Sequence, residues 1–287
     1  MASARMLLGC DFSSSPNRRK PIVLACGQLQ DERLSLKQLV HLETLEAFAD
    51  WLRQPGDWLG AFDFPFGLPR ELVETLGWPL TWEACMRHYA GLSRPQIREV
   101  FAAFCNSRPP GSKFAHRATD IPAGASPSMK WVNPPVAYML HAGVPCLLSC
   151  GVHLPGLHPG NPLDRDDHGL PRRVALEGYP GMLAREVLGA RSYKSDSRAN
   201  QTSERLIARK DLITALEHGQ TRLGLRLRLT HAQRDTLADD PRGDALDAVL
   251  CLMQAAWALQ QGGPGYGLPV GVDPLEGWIV TAQPCAG

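Results

Sequence analysis

The sequence predicts an α/β fold in which helices flank a mixed β-sheet, and three observations predict it. Short apolar runs bounded by Gly, Pro and Ser in the first 63 residues are typical of buried strands. Segments with helical spacing separate them from a later apolar run at 173–177. Residues 244–260 are apolar on nearly every side, which predicts a buried helix. Strands close in sequence pair antiparallel and strands joined by helical crossovers pair in parallel, so one sheet is expected to contain both kinds.

In the first part of the chain, apolar runs predict strands, and apolar residues three or four positions apart predict helices. A Ser-Ser-Ser-Pro-Asn turn joins the first two strands as in a hairpin, and Pro65 and Pro69 end the fourth. The expected order is strand 5–12, strand 21–29, strand 32–40, helix 44–53, strand 58–63, and short helices 72–76, 82–89 and 95–104.

The second part begins with residues 106–130, which are rich in Pro, Gly, Ser and basic residues and predict a long loop. We expect one domain over residues 1–287, with a central loop and helical insertion at about 82–172. The elements that follow the loop are expected to be helix 133–141, strand 144–150, loop 153–172, strand 173–177, helices 182–188, 201–218, 230–239 and 244–260, and a terminal strand 278–281.

The composition is that of a globular protein with a sizeable core, at 44% hydrophobic and 21% charged residues. The 30 basic and 29 acidic side chains give a net charge of +1, so nucleic-acid binding would need a local basic patch. No apolar run reaches the roughly 18 residues of a membrane span, so no membrane partner is expected. The N-terminus lacks the layout of a secretory signal, and the eight cysteines are interpreted as free thiols. A cytoplasmic protein is expected.

One cluster tests the interpretation of the cysteines as core thiols. Cys146, Cys150, His153 and His158 are close enough in sequence to suggest a zinc site. Their spacing matches no common structural zinc pattern, and the segment contains several Pro and Gly residues. Core thiols and loop histidines are therefore the favoured interpretation.

Acidic residues stand at the ends of three predicted strands and at the start of the buried helix. Asp11, Asp63 and Glu177 close apolar runs, and Asp244 and Asp247 open the helix at 244–260. Apolar surroundings do not tolerate isolated carboxylates, so these groups need a partner or a metal. If the strands are neighbours, the acids converge, and oxygen-only ligands suit Mg²⁺ or Mn²⁺. Two such ions can catalyse the hydrolysis of a phosphodiester.

Each acid also has a purely structural interpretation. Asp11 could begin the turn at 13–16, Asp63 could cap the Pro-rich turn, and Asp244 could cap the helix. Capping does not explain Asp247, which lies between apolar neighbours three residues further along. The five acids together, in this order, favour a site.

Further motifs surround the acids. They are Gly9-Cys10-Asp11, Asp63-Phe64-Pro65-Phe66-Gly67-Leu68-Pro69, Glu177-Gly178-Tyr179-Pro180, Lys194, Arg205-Leu206 and Asp244-Ala245-Leu246-Asp247-Ala248. This set resembles domain-of-unknown-function family 429, whose members are predicted to be RNase H-like nucleases. The resemblance runs from Met6 to about Trp278.

The resemblance implies an RNase H-like fold, with a mixed five-stranded sheet flanked by helices. In that fold, metal-binding acids come from the first strand, the fourth strand and a late helix. Lys194 and Arg205, which belong to the same set of motifs, are predicted to bind the substrate because basic side chains contact phosphate. The catalytic and metal-binding acids that the resemblance implies are Asp11, Asp63, Glu177, Asp244 and Asp247.

Basic residues suggest a polyanionic substrate. Arg205 and Arg209 share a helix face close after Lys194 and Arg198, and the loop at 106–130 carries more cations. Loop aromatic residues could stack on bases. Ordinary solvated charges are the alternative interpretation. The loop residues concerned are Arg108, Lys113, Phe114, His116, Arg117, Lys130 and Trp131.

The expected function is that of a two-metal nuclease or phosphodiesterase acting on RNA or DNA with Mg²⁺ or Mn²⁺. One alternative is a phosphotransferase of the actin or sugar-kinase type, because Asp11-Phe12-Ser13-Ser14-Ser15 is similar to a first phosphate loop. No Gly-rich nucleotide loop accompanies that segment. A second alternative is a non-catalytic interaction protein on the same scaffold.

Overall fold

A computed structural model describes residues 5–284 of the chain, and its described residues form one mixed sheet of six strands. The order across the sheet is β5-β4-β1-β2-β3-β6. Strand β2 runs antiparallel to both β1 and β3, β4 and β5 run parallel to β1, and β6 runs parallel to β3. The predicted α/β fold with a mixed sheet is confirmed. The strands are β1 (Met6–Asp11), β2 (Ile22–Gln30), β3 (Arg33–Leu42), β4 (Trp58–Phe62), β5 (Arg173–Glu177) and β6 (Arg226–Arg228).

Helices cover both faces of this sheet. Several begin at residues whose side chains accept a hydrogen bond from the first turn, such as Thr44, Ser93 and Thr230. Within residues 5–284, no helix combines the length and apolarity needed to cross a bilayer. The α-helices are α1 (Leu45–Arg53), α2 (Arg70–Thr75), α3 (Trp82–Ala90), α4 (Arg94–Asn106), α5 (Asp120–Ala123), α6 (Val136–Ser149), α7 (Pro180–Leu188), α8 (Ser203–His218), α9 (His231–Asp239) and α10 (Asp244–Gln261).

Two hydrophobic cores lie on opposite faces of the sheet. One packs the sheet against α7, α8, α9 and α10. The other packs it against α1, α2, α3, α4 and α6, so the stretch at 82–172 contributes mainly to this second core. Because side chains alternate along a strand, successive residues of β1 and β4 belong to different cores.

Helix α10 lies directly on β1 because of one glycine. A Cβ atom at Gly9 would lie 2.0 Å from the carbonyl oxygen of Ala248 and 2.1 Å from the amide nitrogen of Leu252. Only a residue without a side chain permits this approach of helix backbone to strand backbone. The contact places the first turn of α10 beside the carboxyl end of β1.

Three sequence predictions about elements need correction. Residues 144–150, predicted as a strand, lie mostly within α6. A short apolar run does not distinguish a buried strand from a buried helix, and here Leu140, Val144 and Leu147 face the core at helical spacing. In the predicted terminal strand 278–281, Ile279 makes only an isolated bridge, to Glu177. The predicted five-stranded sheet gains a sixth strand, β6, which has only three residues and exposed ends.

Candidate metal centre

Two of the predicted acids meet at one edge of the sheet because their strands are parallel neighbours. Asp11 is the last residue of β1, and Asp63 directly follows β4. The register pairs Cys10 with Phe62, and the Asp63 amide donates to the Cys10 carbonyl at 2.9 Å. Alternation along each strand directs both carboxylates to the face that α10 covers.

Asp247 joins them from the first turn of α10. Its side chain is completely buried, and one carboxylate oxygen from each of Asp11, Asp63 and Asp247 lies within 4.8 Å of the others. No other group of three or more Asp, Glu, His or Cys side chains in residues 5–284 meets this criterion. We call these three residues the carboxylate triad. Oxygen-only donors at this spacing fit a hard divalent cation such as Mg²⁺ or Mn²⁺.

Burial and repulsion by neighbouring carboxylates both act against ionisation of Asp11 and Asp63. Burial, followed by the charges of Asp247 and Asp244, raises the pKa of Asp11 well above its usual range. Burial and the nearby Asp247 raise the pKa of Asp63 to about 7. A bound divalent cation would favour the charged form of each group, since opposite charge lowers a carboxyl pKa. The triad therefore has the electrostatic character of a metal site.

One lysine supplies part of the missing positive charge. The Lys194 ammonium and the Tyr193 hydroxyl both donate to the carboxylate of Asp247. Burial lowers the pKa of Lys194, but the charges of Asp247, Tyr193 and Asp11 outweigh burial and raise the pKa above its usual range. The Lys194 side chain keeps 42% of its surface exposed, so it contacts both the triad and solvent.

Glu177 belongs to the other face of the sheet. Alternation along β5 places its side chain with that of Ala175, opposite the face of the triad. Its carboxylate accepts two hydrogen bonds from the buried Arg117 guanidinium, at 2.6 and 2.7 Å, and one from the Phe66 amide at 2.9 Å. Burial raises the pKa of Glu177, although Arg117 acts against that shift. The structure does not bring this acid into the triad.

Asp244 lies at the entrance of the site. Asp244 is half-buried and lies three residues before Asp247 in α10. It lines a surface cleft and is not a member of the triad. Burial, together with the charge of Asp240, raises the pKa of Asp244 to about 6. Its charge also acts on Asp11, which places it close to the triad.

Several predicted substrate contacts have structural roles instead. Arg117 is 1% exposed and bridges Glu177 and Asp120, so its guanidinium is not free to bind phosphate. Arg209 is also buried and donates to the backbone oxygens of Tyr193, at 2.8 Å, and Ala238, at 2.7 Å. It thereby positions the segment that carries Lys194.

Three further predicted contacts, Arg205, Phe114 and Trp131, also have partners outside the triad. Arg205 donates to Ser192 Oγ at 3.3 Å and to the backbone oxygen of Asn200, and neither group belongs to the triad. Phe114 and Trp131 pack against each other with ring centroids 5.5 Å apart, next to the second core.

Three of the four residues weighed as zinc ligands, Cys146, Cys150 and His158, have other partners. The thiol of Cys146 donates to the backbone oxygen of Ala142, and that of Cys150 donates to Ala49 O, each at 3.4 Å. His158 Nδ1 accepts from the Gly160 amide at 3.0 Å.

Two side-chain contacts could not be predicted from the sequence: the hydrogen bond from Tyr193 to Asp247 and the ion pair between Arg117 and Glu177. Tyr193 gave no signal other than its position beside Lys194. Arg117 precedes Asp120 by three residues, a spacing that fits an ion pair on one turn, but Glu177 is 60 residues away in the chain.

Comparison of the chain with protein-family models, with curated proteins and with solved structures finds no match.

Proposed function

We propose that the protein is a metal-dependent nuclease or phosphodiesterase with an RNase H-like fold. The observation that carries this proposal is the carboxylate triad, in which Asp11, Asp63 and Asp247 converge from two strand ends and a helix. Three acids in apolar surroundings destabilise a folded chain unless a cation neutralises them. Their convergence at one point therefore supports a functional metal centre rather than three unrelated structural roles.

The arrangement of the sheet supports the RNase H-like part of the proposal. Three antiparallel strands are followed by two strands parallel to the first, in the order β5-β4-β1-β2-β3, and β6 extends the far edge. The triad draws on the first strand, the fourth strand and the last described helix, which are the elements that the sequence resemblance implies. The same resemblance, to domain-of-unknown-function family 429, is therefore part of the proposal.

Asp11, Asp63 and Asp247 would hold Mg²⁺ or Mn²⁺, and Asp244 would reach a second ion from the cleft side. Such ions activate water and stabilise the leaving oxygen of a phosphodiester. Lys194 donates to Asp247 and holds that carboxylate in place, and its partly exposed ammonium would stabilise the charge of a phosphate bound at the triad. Tyr193 fixes the other oxygen of Asp247. Glu177 has a structural role, because it accepts hydrogen bonds from Arg117 and from the Phe66 amide and holds both groups beside Asp63.

A nuclease assay tests the proposal. The purified protein is incubated with labelled single-stranded and duplex RNA and DNA, with Mn²⁺, Mg²⁺ or EDTA. We expect metal-dependent cleavage that Asp63→Asn reduces by at least about 100-fold, because Asn keeps the shape of the side chain but removes its charge. Asp235→Asn is the matched control, since Asp235 is an exposed carboxylate on α9. Wild-type protein that cleaves none of these substrates with either metal contradicts the proposal.

The same preparation separates the two alternative functions. Phosphotransfer of the actin or sugar-kinase type requires nucleotide binding, which calorimetry with ATP and Mg²⁺ would detect. A non-catalytic interaction protein would show neither cleavage nor nucleotide binding. In that case Asp63→Asn would increase stability without changing any activity.

A further inference from the structure

Two recesses flank the carboxylate triad on different sides. A cleft of about 770 Å³ borders α10 at Asp244 and Ala245, and its floor includes Val23, which pairs with Asp11 in the β1–β2 register. A separate cavity of about 320 Å³ contains Asp63 and Lys194 in its wall. The triad therefore lies between the two recesses, which differ in the charge and polarity of the residues that line them.

The cleft presents positive charge that the protein does not neutralise. Arg18, Arg19, Arg198 and Arg242 line it, and within residues 5–284 none of their guanidinium groups lies within ion-pair distance of a carboxylate. Arg18 and Arg19 stand on an ordered turn, because the side chain of Asn17 accepts from the Arg19 amide at 2.9 Å. The backbone of this turn is therefore ordered, and the side chains of Arg18 and Arg19 are exposed where an anion can reach them.

Two of the three carboxylates that line the cleft are already bound within the protein. Asp196 accepts from Lys20 Nζ at 2.9 Å. Asp240 accepts from the amides of Arg242 and Ala245, at 3.1 and 3.0 Å. Lys20 pairs with Asp196, whereas the amide hydrogen bonds leave the charge of Asp240 in place, so Asp240 and Asp244 both oppose the four arginines. Positive charge still prevails in the cleft, so it attracts anions even though the chain as a whole carries a net charge of only +1.

The smaller cavity has a mostly apolar wall that also contains charged side chains. Its volume of about 320 Å³ lies in the range of about 300–1,000 Å³ that is usual for pockets that take small organic groups. Its charged lining consists of Asp63 and Lys194, which adjoin the triad, and of the ion pair between Arg117 and Glu177. The rest of the wall includes Phe64, Pro134, Val136, Met139 and Tyr179.

We propose that the substrate is an unpaired nucleic-acid strand, with its phosphates along the arginine cleft and one base in the apolar cavity. This inference rests on the proposed function and specifies its substrate class. Guanidinium groups contact phosphates whatever the sequence, and aromatic and apolar walls receive a base by stacking. A base enters such a recess only if it is unpaired or extruded, so a paired duplex fits this surface poorly.

The first test addresses the cleft. Fluorescence anisotropy measures binding of labelled RNA and DNA 12-mers to the full chain at several salt concentrations. Ca²⁺ replaces Mg²⁺, and a denaturing gel confirms that the oligonucleotide stays intact. Each phosphate contact contributes about 0.7 to the slope of log K against log salt for a single strand, so Arg18→Ala/Arg19→Ala should reduce the slope by about 1.4. Arg226→Ala/Arg228→Ala is the matched control, because both arginines are exposed on β6 at the far edge of the sheet, and its slope should not change.

The second test addresses the cavity. Ser126 lines it, is half-buried and lies in a loop, so Ser126→Trp should fill the space without disturbing a helix or strand. We expect the wild type to prefer the single strand to a duplex of the same length. The Ser126→Trp variant, with an unchanged Tm, should lose about fivefold or more in single-strand affinity, the value of one stacked base. RNA and DNA arms show which sugar is preferred.

The outcomes separate the two proposals. Arginine-dependent binding of single strands without metal-dependent cleavage would refute the nuclease function but support the binding path. Cleavage by a protein whose Arg18→Ala/Arg19→Ala and Ser126→Trp variants bind like the wild type would refute the binding path. A duplex that binds as tightly as the single strand would also refute it.

Discussion

The substitution Gly9→Ala tests how the fold builds the triad. The added Cβ would meet the Ala248 carbonyl oxygen at 2.0 Å, whereas an ordinary contact is at least 3.4 Å. The atoms in the way belong to the backbone of α10, so no side-chain rotation relieves the overlap. Helix α10 must therefore withdraw from β1 by about 1.4 Å, and it carries Asp247 with it.

Both stability and activity should respond to this shift. Overpacking of a core costs about 1–3 kcal/mol, and we expect the upper part of that range because rigid backbone is displaced. Ala also lowers the conformational entropy of the unfolded chain, but this stabilises the folded state by only about 0.4–1 kcal/mol. The free energy of unfolding should thus fall by about 2 kcal/mol. A misplacement of about 1 Å in a catalytic geometry can reduce the rate by about 100-fold.

Urea unfolding measures the first effect, and Mn²⁺-dependent cleavage measures the second at a temperature where the variant is folded. Gly56→Ala is the matched control, since its Cβ would meet only Trp58 Cδ1 at an ordinary 3.5 Å. The control should change stability by less than about 0.5 kcal/mol. If Gly9→Ala matches the control in both assays, the close contact between α10 and β1 does not position Asp247.

Three further predictions concern charge. Lys194→Met leaves Tyr193 as the side-chain donor to the buried Asp247, so the free energy of unfolding of the metal-free protein in urea should fall by about 1–3 kcal/mol. Mg²⁺ should restore part of this loss. An unchanged unfolding midpoint would contradict the assigned contact. Arg117→Met leaves Glu177 and Asp120 buried without a cation and should cost about 3–5 kcal/mol. Arg87→Met, which breaks an exposed pair with Glu83, should cost less than about 1 kcal/mol, and equal losses would refute the role of burial. The pKa of Asp63 is raised to about 7 in the folded state and is about 3.9 in an unfolded chain. The folded state therefore binds more protons over that interval, so the metal-free protein should lose stability as pH rises from about 4 to 7, and saturating Mg²⁺ should reduce the slope. Stability that rises over this interval without metal would contradict the burial of an uncompensated Asp63.

Much of the site could be predicted because strand ends are visible in sequence. The apolar runs that end at Asp11 and Asp63 locate two parallel strands, and parallel strands present their carboxyl ends at one edge. Asp247 was identifiable because it is an acid within an apolar helix. These three residues needed only the order of elements to be brought together.

Side-chain direction and long-range pairing could not be predicted in the same way. Glu177 also ends a strand, but its direction depends on register, and a shift of one residue moves a side chain to the other face. Its partner Arg117 lies in a segment with little periodicity, which predicts a loop and gives no sign of burial. The strand predicted at 144–150 failed for a related reason: an apolar run shows that a segment is buried but does not show whether it is helix or strand.

A crystal soaked in Mn²⁺ tests the central claim most directly, because the anomalous signal of manganese locates the ion without reference to activity. We predict a peak within about 2.0–2.6 Å of carboxylate oxygens from Asp11, Asp63 and Asp247. The peak should be absent in Asp11→Asn crystals soaked in the same way. A wild-type crystal with manganese bound elsewhere and no peak at these three carboxylates would contradict the account.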